Sequence, residues 1–375
     1  MKHRFSFVDS ELDVAKRYDL YRKMRPSSVT GSHIIIGKKS LLNLCSNDYL
    51  GMPATHISTK QMQSSSRLIS GNDESYYTLE KILARHKSQQ ACLVYPTGYM
   101  ANLGTISALA GKGDLILSDE LNHASVIESC RLSGAKIIIY GHNDMKDLAA
   151  KIKPKYKKKY IITEGIFSMD GDYAKMQEIA EIAHKNDAIT ILDDAHGDFA
   201  VGHDGKGTPE KLCSKVDVYI SSLSKGLGSF GGYVASEKNV INYSINKSKA
   251  FIYTSALPST LVEHAIRRFG YNRERYQKKL AQNTKTLASG LSDAGITIQS
   301  KTHIIPIMIG GESDAMKLGA FLYRNGIFAQ PIRYPTVPKG MARIRISVTA
   351  WLSRNDIKSA LSVFERAAKK FNLTC

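Results

Sequence analysis

The sequence predicts an α/β protein with a large domain built on a mostly parallel central sheet and a smaller α+β C-terminal domain. Two observations predict this fold class. Between about residues 90 and 240, short β-branched apolar segments alternate with amphipathic segments, as in parallel sheets with helical crossovers. After about residue 257 this alternation stops, and longer helical patterns replace it.

Seven short segments of the large domain have the near-continuous apolar character of strands covered on both faces. They are ACLVY (91–95), LILS (115–118), KIIIY (136–140), YIIT (160–163), AITILDD (188–194), VDVYISS (216–222) and GYVAS (232–236). Between them, residues 98–111 and 174–187 carry apolar residues at helical spacing.

The C-terminal part begins with a long helical pattern over residues 258–295, broken near Gly270 and ending at Gly295. A strand (303–310), a helix (314–326) and a second strand (342–350) follow it. We therefore expect an N-terminal arm, a large domain and a small C-terminal domain, which would span residues 1–45, 46–270 and 271–375.

The composition is typical of a soluble globular protein, with 43% hydrophobic and 23% charged residues in 375. No apolar segment approaches the roughly 20 residues that span a bilayer, and the first residues lack the apolar segment of a signal peptide. The five cysteines are scattered, which argues against a disulfide framework or a zinc site. We expect a cytoplasmic protein without a membrane partner or a bound metal.

The formal net charge of +18 favours anionic partners, whether nucleic acid, a phosphorylated cofactor or an acidic protein. The densest positive segment, KIKPKYKKKY (151–160), is either a solvated connection between a helix and the next strand or a docking site for an acidic partner. Nucleic-acid binding is disfavoured because the sequence has no zinc-finger spacing, no RNP-like motif and no clear helix-turn-helix.

Polar residues follow the predicted strands, and in an open α/β sheet ligands bind at the carboxyl ends of the strands. Each residue alone has a structural explanation, since an Asp after a strand is usually a helix cap or turn residue, and a lone His is usually structural. The residues at these ends are Gly98, Tyr99, His123, Ser168, Asp193, His196, Ser222, Ser224 and Lys225.

Together these residues match the needs of one cofactor. Pyridoxal phosphate requires a lysine amine, an acidic partner for its ring nitrogen and a cradle for its phosphate. Lys225 would supply the amine, Asp193 would hold the ring nitrogen, and His196 would reach the ring hydroxyl. The phosphate would bind the backbone N–H groups of Gly98 and Tyr99 and the hydroxyls of Ser222 and Ser224.

Eight motifs, in order between about residues 20 and 352, resemble the α-oxoamine synthases. They are SNDYLGM (46–52), SSSRLISGN (64–72), SDELNHASVIE (118–128), TEGIFSMDGD (163–172), LDDAHG (192–197), SLSKGLG (222–228), YTSALP (253–258) and PTVPKGMARIRISVTA (335–350). The resemblance implies the fold-type-I architecture of pyridoxal-phosphate-dependent transferases. These enzymes condense a small amino acid with an acyl thioester and release carbon dioxide.

Within the family, the motifs are most similar to the branch that acts in biotin synthesis. That likeness implies L-alanine and pimeloyl-CoA or pimeloyl-acyl carrier protein as substrates. The sister branches, which use glycine or serine, are the alternative; they are 2-amino-3-ketobutyrate CoA ligase, 5-aminolevulinate synthase and serine palmitoyltransferase. One departure is that residues 64–66 are serines where relatives usually carry glycines.

The resemblance also implies residue roles and a homodimer with shared active sites. Lys225 resembles the Schiff-base lysine, Asp193 the partner of the ring nitrogen, His196 the partner of the ring oxygen and His123 the histidine that stacks on the ring. Ser168 and Ser222 match cofactor contacts, and Ser255 matches a phosphate contact from the second subunit. The expected substrate contacts, besides His123, are Arg22, Asn47, Thr336 and Arg345.

Three points stay open at the level of sequence. Arg343 and Arg345 share one face of their strand, so the pattern alone does not choose between them, although the family motif favours Arg345. A fold-type-I relative that performs transamination or β-elimination would also keep Lys225 and Asp193. A non-catalytic nucleic-acid-binding protein would explain the charge but not the ordered residues at the strand ends.

Overall fold

The computed structural model describes residues 4–57, 61, 63–153 and 155–373, which form two compact units. The first unit contains the described residues up to Ser46, together with Met169–Gly171 and the chain from Lys278 onward. The second unit contains Asn47–Ser168 and Asp172–Gln277. The three-part domain division expected from the sequence stays a prediction.

The described strands, in chain order, are β1 (Ser27–Thr30), β2 (His33–Ile36), β3 (Lys39–Asn43), β4 (Ala91–Tyr95), β5 (Leu115–Asp119), β6 (Lys136–Tyr140), β7 (Lys159–Glu164), β8 (Ile189–Asp193), β9 (Val218–Ser222), β10 (Gly232–Ser236), β11 (Ile304–Gly310), β12 (Ile327–Phe328), β13 (Gln330–Ile332) and β14 (Ala342–Ser347). The described helices are α1 (Ser6–Arg17), α2 (Glu74–Lys87), α3 (Gly98–Leu109), α4 (Ala124–Ser133), α5 (Met145–Lys151), α6 (Met176–Lys185), α7 (Thr208–Lys211), α8 (Lys238–Lys247), α9 (Lys249–Ile252), α10 (Ser259–Phe269), α11 (Glu274–Asp293), α12 (Glu312–Arg324) and α13 (Arg354–Phe371).

The second unit is built on a seven-stranded sheet with the order β4-β10-β9-β8-β7-β5-β6. Its strands are the seven segments predicted from sequence, with ends that differ by at most two residues. Strands β9, β8, β7, β5 and β6 pair in parallel, while β10 is antiparallel to both β4 and β9. The mostly parallel central sheet is therefore confirmed.

This direction places the carboxyl ends of six strands at one edge of the sheet, which is where ligands bind in such folds. The apolar side chains of the strands pack against α3, whose Ala101 and Ile106 belong to the same buried cluster as Ile162, Ile191 and Ile220. The packed sheet thus fixes the positions at which the loops at its carboxyl edge begin.

The first unit contains two smaller sheets, with the orders β1-β2-β3-β12 and β11-β14-β13. The strand and helix expected at residues 303–310 and 314–326 are β11 and α12, and the expected strand at 342–350 is β14, which ends at Ser347. The long helical pattern forms two helices, α10 and α11, with a break after Phe269. An α+β C-terminal part is confirmed.

The lysine-rich segment 151–160 forms the connection between α5 and β7 in the described part of the chain, as one of its two interpretations predicted. Lys158 Nζ lies 2.8 Å from the Asp114 carboxylate, and the side chains of Lys153, Lys155 and Lys157 are exposed. Across the residues that the structure describes, no helix combines the length and apolar character needed to cross a bilayer.

Candidate active site

Lys225 follows β9 and is half-buried, with its Nζ 2.8 Å from Nε2 of His196. The other imidazole nitrogen, Nδ1, lies 2.6 Å from the hydroxyl of Tyr49, which donates to Asn47 Oδ1 at 3.0 Å. Because the Tyr49 hydroxyl has one proton and gives it to Asn47, we assign the imidazole proton to Nδ1. His196 Nε2 is then a hydrogen-bond acceptor that faces the lysine amine.

Asp193, at the end of β8, is buried and held by two donors. Its Oδ1 accepts the backbone N–H of Ala195 at 2.9 Å, and its Oδ2 accepts Nδ2 of Asn102 at 2.5 Å. Asn102 lies on α3 and also donates to Ser125 Oγ at 2.9 Å. Since each carboxylate oxygen has two acceptor positions, Asp193 can accept a further N–H from a ligand.

His123 caps α4, where its Nδ1 accepts the backbone N–H of Ser125 at 3.2 Å and lies 2.7 Å from the Ser125 hydroxyl. His123 is exposed at the sheet edge, but the protein around its ring removes part of its water. This partial burial lowers the pKa of His123. The Asp193 carboxylate opposes this shift and the Lys225 ammonium adds to it. At neutral pH the ring is therefore uncharged and carries its proton on Nε2.

The N-terminus of α3 forms a close approach to the end of β9. A Cβ atom on Gly98 would lie 3.0 Å from Cβ and 3.3 Å from Oγ of Ser222. The Oγ atoms of Ser222 and Ser224 are 2.8 Å apart. Because the first N–H groups of a helix have no intrahelical partner, Gly98, Tyr99 and these hydroxyls offer converging donors for a dianionic phosphate.

Glu164, at the end of β7, is a buried carboxyl group. Its Oε2 accepts the backbone N–H of Ser168 at 3.3 Å, and the backbone of His123 also bonds to this carboxyl. Within the described structure its Oε1 has no hydrogen-bond partner. Burial raises the pKa of Glu164 well above its ordinary value, the Asp193 carboxylate raises it further and Lys225 opposes the shift, so the surroundings favour the neutral acid.

A buried ionic cluster supports the loop that carries Asp193 and His196. Asp194 accepts the backbone N–H of Thr208 at 2.8 Å and the Tyr219 hydroxyl at 2.7 Å, and burial raises its pKa to about 7. Burial alone would also raise the pKa of Asp198, but the adjacent Lys87 ammonium lowers it below its ordinary value. These contacts anchor the loop of residues 194–198 through Asp194 and Asp198.

The remaining cofactor and substrate candidates of the second unit lie in loops. Ser168 is buried after β7, whereas Asn47 and Ser255 are exposed. The backbone N–H of Ala256 donates to Ser65 O at 2.9 Å, which ties the Ser255 segment to the serine-rich loop. Serines 64–66 have none of the left-handed φ angles found in the described chain, so glycine is not required there.

Arg22, Thr336 and Arg345 belong to the first unit. Arg22 Nη2 donates to Thr336 Oγ1 at 3.2 Å, so the structure brings these two substrate candidates together. Arg345 is buried on β14 and donates from Nη1 to Ser347 Oγ at 2.7 Å. Arg343 forms an ion pair with Asp170 at 2.5 Å, which gives it a structural role and favours Arg345 as the ligand-binding arginine.

Three residues of the site were missed from sequence: Tyr49, Asn102 and Glu164. Tyr49 and Glu164 lie inside motifs that were recognised, but no spacing in those motifs marks the contacts of either side chain. Asn102 carried a usable signal, since it is the one amide side chain in the apolar helical segment 98–111. A buried amide needs a polar partner, and here the partner is Asp193.

The geometry agrees with comparisons to known proteins. The family model "Aminotransferase class I and II" matches residues 39–364. The chain belongs to this family. It is 39% identical to the 8-amino-7-oxononanoate synthase of Thermoanaerobacter pseudethanolicus, covering 99% of both chains, and 38% identical to that of Geotalea daltonii, covering 97% of this chain and 98% of the relative. The resemblance to the α-oxoamine synthases is thereby confirmed.

Solved structures give the same fold. The serine palmitoyltransferase of Sphingomonas wittichii superposes with a TM-score of 0.90 and 26% identity over 99% of each chain. The 8-amino-7-oxononanoate synthase of Francisella tularensis has a TM-score of 0.76 and 24% identity, covering 88% of this chain and 98% of that one. A further solved structure, described as SPT with PLP, has a TM-score of 0.90 and 26% identity over 99% of this chain and 100% of that chain. The fold-type-I transferase fold expected from the sequence is confirmed.

Proposed function

We propose that this chain condenses L-alanine with a pimeloyl thioester and releases carbon dioxide, the free thiol and 8-amino-7-oxononanoate. The support is the Lys225–His196 pair beside Asp193, in a chain 36–39% identical over nearly its full length to synthases of that name. Membership of the family makes the chain a pyridoxal-phosphate-dependent enzyme that transfers acyl groups.

The residues at the sheet edge fit pyridoxal phosphate. The Gly98–Ser222 approach leaves a cradle of backbone N–H groups and hydroxyls, which suits a phosphate, and Asp193 keeps acceptor capacity for a protonated ring nitrogen. Lys225 offers the amine, His196 would contact the ring oxygen, Ser168 would contact the cofactor, and His123 would stack on the ring. When bound, the cofactor supplies an electron-poor ring that stabilises negative charge at the α-carbon of an amino acid.

Lys225 would act as the general base at the α-carbon of alanine. Its Nζ lies beside the acceptor His196 Nε2, so the imidazole can orient the amine and share a proton with it. Tyr49 holds the imidazole from the opposite side through Nδ1. The same Nζ would return a proton to the α-carbon after carbon dioxide leaves.

Bond making and bond breaking balance without a further co-reactant. A bond forms between the α-carbon and the thioester carbonyl carbon, the C–S bond breaks, and the thiol leaves with a proton. The amino-acid carboxyl group then departs as carbon dioxide. Arg345 would hold that carboxylate before its release, because a guanidinium binds carboxylates through two parallel N–H groups, and Asn47 would contact the substrate.

Two further expectations belong to this proposal. The protein would act as a cytoplasmic homodimer in which Ser255, exposed in one subunit, contacts the phosphate held by the other. The +18 charge would steer either donor, CoA or the acidic acyl carrier protein, toward the enzyme. The rate with either donor should then fall as salt is added.

The test is to supply the purified protein with pyridoxal phosphate, pimeloyl-CoA and one amino acid at a time. With alanine, we expect thiol and carbon dioxide in equal amounts and a product of the mass of 8-amino-7-oxononanoate. Lys225→Ala should abolish turnover, while Lys211→Ala, which removes an exposed lysine, should not. A preference for glycine or serine would move the protein to a sister branch, and amino-group exchange without thiol release would indicate transamination.

A further inference from the structure

Arg333 is a buried arginine with no assigned role in the proposed reaction. It directly follows β13 in the first unit, and only 8% of it is exposed. Among the residues that the structure describes, its Nη1 has no hydrogen-bond partner. Buried polar groups nearly always have a partner, so a buried guanidinium nitrogen without one indicates a place where a ligand supplies the acceptor.

Two substrate candidates are linked to the backbone of Arg333. The backbone N–H of Thr336 donates to Arg333 O at 3.0 Å, and Thr336 Oγ1 accepts Nη2 of Arg22 at 3.2 Å. Arg22 and Thr336 are both exposed. The short loop 333–336 therefore connects the buried Arg333 to the exposed Thr336, whose hydroxyl holds the exposed Arg22 guanidinium.

The charges around Arg333 also favour an anion. Burial lowers the pKa of Arg333, the neighbouring Arg22 guanidinium lowers it further, and the Asp19 and Glu312 carboxylates oppose the shift. Glu312 Oε1 already accepts the backbone N–H of Gly340 at 3.2 Å. The positive charges of Arg22 and Arg333 repel one another, and an anion that contacts both removes that repulsion.

The other anions of the proposed reaction have binding groups of their own. The cofactor phosphate is assigned to Gly98, Tyr99, Ser222 and Ser224, and the amino-acid carboxylate to Arg345. The acyl donor brings the remaining anions, which are the terminal carboxylate of the acyl chain and the phosphates of its carrier. Both are oxyanions that a guanidinium binds through paired N–H groups.

We propose that Arg333, together with Arg22 and Thr336, binds an oxyanion of the acyl donor. The inference rests on the proposed function, because that function supplies the donor. Arg333 is then a residue that selects the donor, and a donor that lacks the bound oxyanion loses affinity.

The experiment compares three donors with alanine and the enzyme saturated with pyridoxal phosphate. Pimeloyl-CoA carries both the carboxylate and the phosphates, heptanoyl-CoA carries only the phosphates, and the N-acetylcysteamine thioester of pimelate carries only the carboxylate. The variants are Arg333→Gln and Arg22→Gln. Arg22 is exposed, so its substitution leaves the buried Arg333 side chain in place. Arg324→Gln, an exposed arginine of the same unit, is the control for loss of one positive charge.

If the terminal carboxylate is bound, Arg333→Gln should lower kcat/KM about 10- to 100-fold for both pimeloyl donors and leave heptanoyl-CoA unchanged. If a phosphate is bound, the loss should appear with both CoA donors and not with the N-acetylcysteamine thioester. Arg22→Gln should show the same pattern with a smaller loss. An equal loss for all three donors, or no loss for any, would overturn the proposal.

A binding measurement separates this proposal from the proposed function. Calorimetry with pimelate and with inorganic phosphate, on the cofactor-loaded protein, needs no turnover. We expect one of these anions to bind the wild type and Arg324→Gln with similar affinity. Its affinity should fall about tenfold or more in Arg333→Gln and measurably in Arg22→Gln. This result would support the site even if no thioester reacts. Binding that is absent in the wild type, or equal in all four proteins, contradicts it.

Discussion

Nζ of Lys225 lies 2.8 Å from Nε2 of His196, and the opposite nitrogen of that imidazole lies 2.6 Å from the hydroxyl of Tyr49. These contacts join a residue near the start of the second unit to two loops at the carboxyl edge of its sheet. The lysine amine is thereby kept beside an acceptor whose tautomer is set by a buried tyrosine. This arrangement suits Lys225 to act as the reactive amine.

Tyr49→Phe should lower kcat about tenfold and leave the KM for the amino acid nearly unchanged. Without the hydroxyl, His196 Nδ1 loses its acceptor, and the imidazole is no longer fixed with Nε2 toward Lys225. Steady-state kinetics and a pH titration of the visible absorbance of the bound cofactor measure both effects. Tyr243→Phe, at an exposed tyrosine, is the matched control. A wild-type kcat and titration curve in Tyr49→Phe would show that Tyr49 does not orient His196.

Asn102→Leu should reduce kcat about 10- to 100-fold while the protein still binds pyridoxal phosphate. The substitution keeps the size of the side chain but removes the N–H that holds Asp193 Oδ2 at 2.5 Å. Asp193 would then be free to rotate away from the ring nitrogen. Asn246→Leu, on the exposed face of α8, is the control. Unchanged turnover would mean that the Ala195 backbone alone orients Asp193.

Glu164→Gln should retain kcat within about threefold at neutral pH, whereas Glu164→Ala should lose most of it. The reason is that burial raises the pKa of Glu164 and so favours its neutral acid form, which an amide can replace. Alanine leaves the backbone N–H of Ser168 without its acceptor. The measurement is kcat of both variants and of the wild type from pH 6 to pH 8.5. Loss of turnover in Glu164→Gln equal to that in Glu164→Ala would mean that Glu164 acts as a carboxylate.

His142 predicts a pH dependence of stability. Its Nδ1 lies 3.0 Å from Asp119 and its Nε2 lies 2.9 Å from Asp172. Burial alone would lower the pKa of His142, but these two carboxylates raise it from 6.5 to about 10. Because the folded pKa is the higher one, this stabilisation is fully present below pH 6.5 and is lost as pH rises toward about 10.

His142→Gln should therefore flatten the decline in the free energy of unfolding over that interval, measured by urea denaturation at several pH values. His203→Gln, at an exposed histidine, should keep the wild-type slope. Parallel curves for the wild type and His142→Gln would show that His142 is not charged in the folded protein.

The parts of this fold that the sequence predicted are those with strong local signals. The seven strands of the central sheet are continuous apolar segments, and their parallel order follows from the helices between them, so the residues at their carboxyl ends could be grouped in advance. The lysine that follows β9 and the aspartate that ends β8 were recognised in this way.

The missed parts depend on contacts between distant positions. Tyr49 reaches His196 across 147 residues and Asn102 reaches Asp193 across 91, and no spacing in the sequence encodes either contact. Arg333 could not be distinguished from an ordinary loop arginine, because its burial and the unpartnered Nη1 exist only in the folded chain. The exposed helix α1 and the strands β1–β3 were also missed, since short segments with mixed polar and apolar residues give weak periodic signals.

Reductive trapping of the bound cofactor identifies the lysine that holds it. The purified protein, loaded with pyridoxal phosphate, is reduced with borohydride, digested and examined by peptide mass spectrometry. We predict a pyridoxyl group on Lys225 in the wild type and none in Lys225→Ala, with a visible absorbance band that is present in the first protein and absent from the second. Attachment to another lysine, or none in the wild type, would contradict the account.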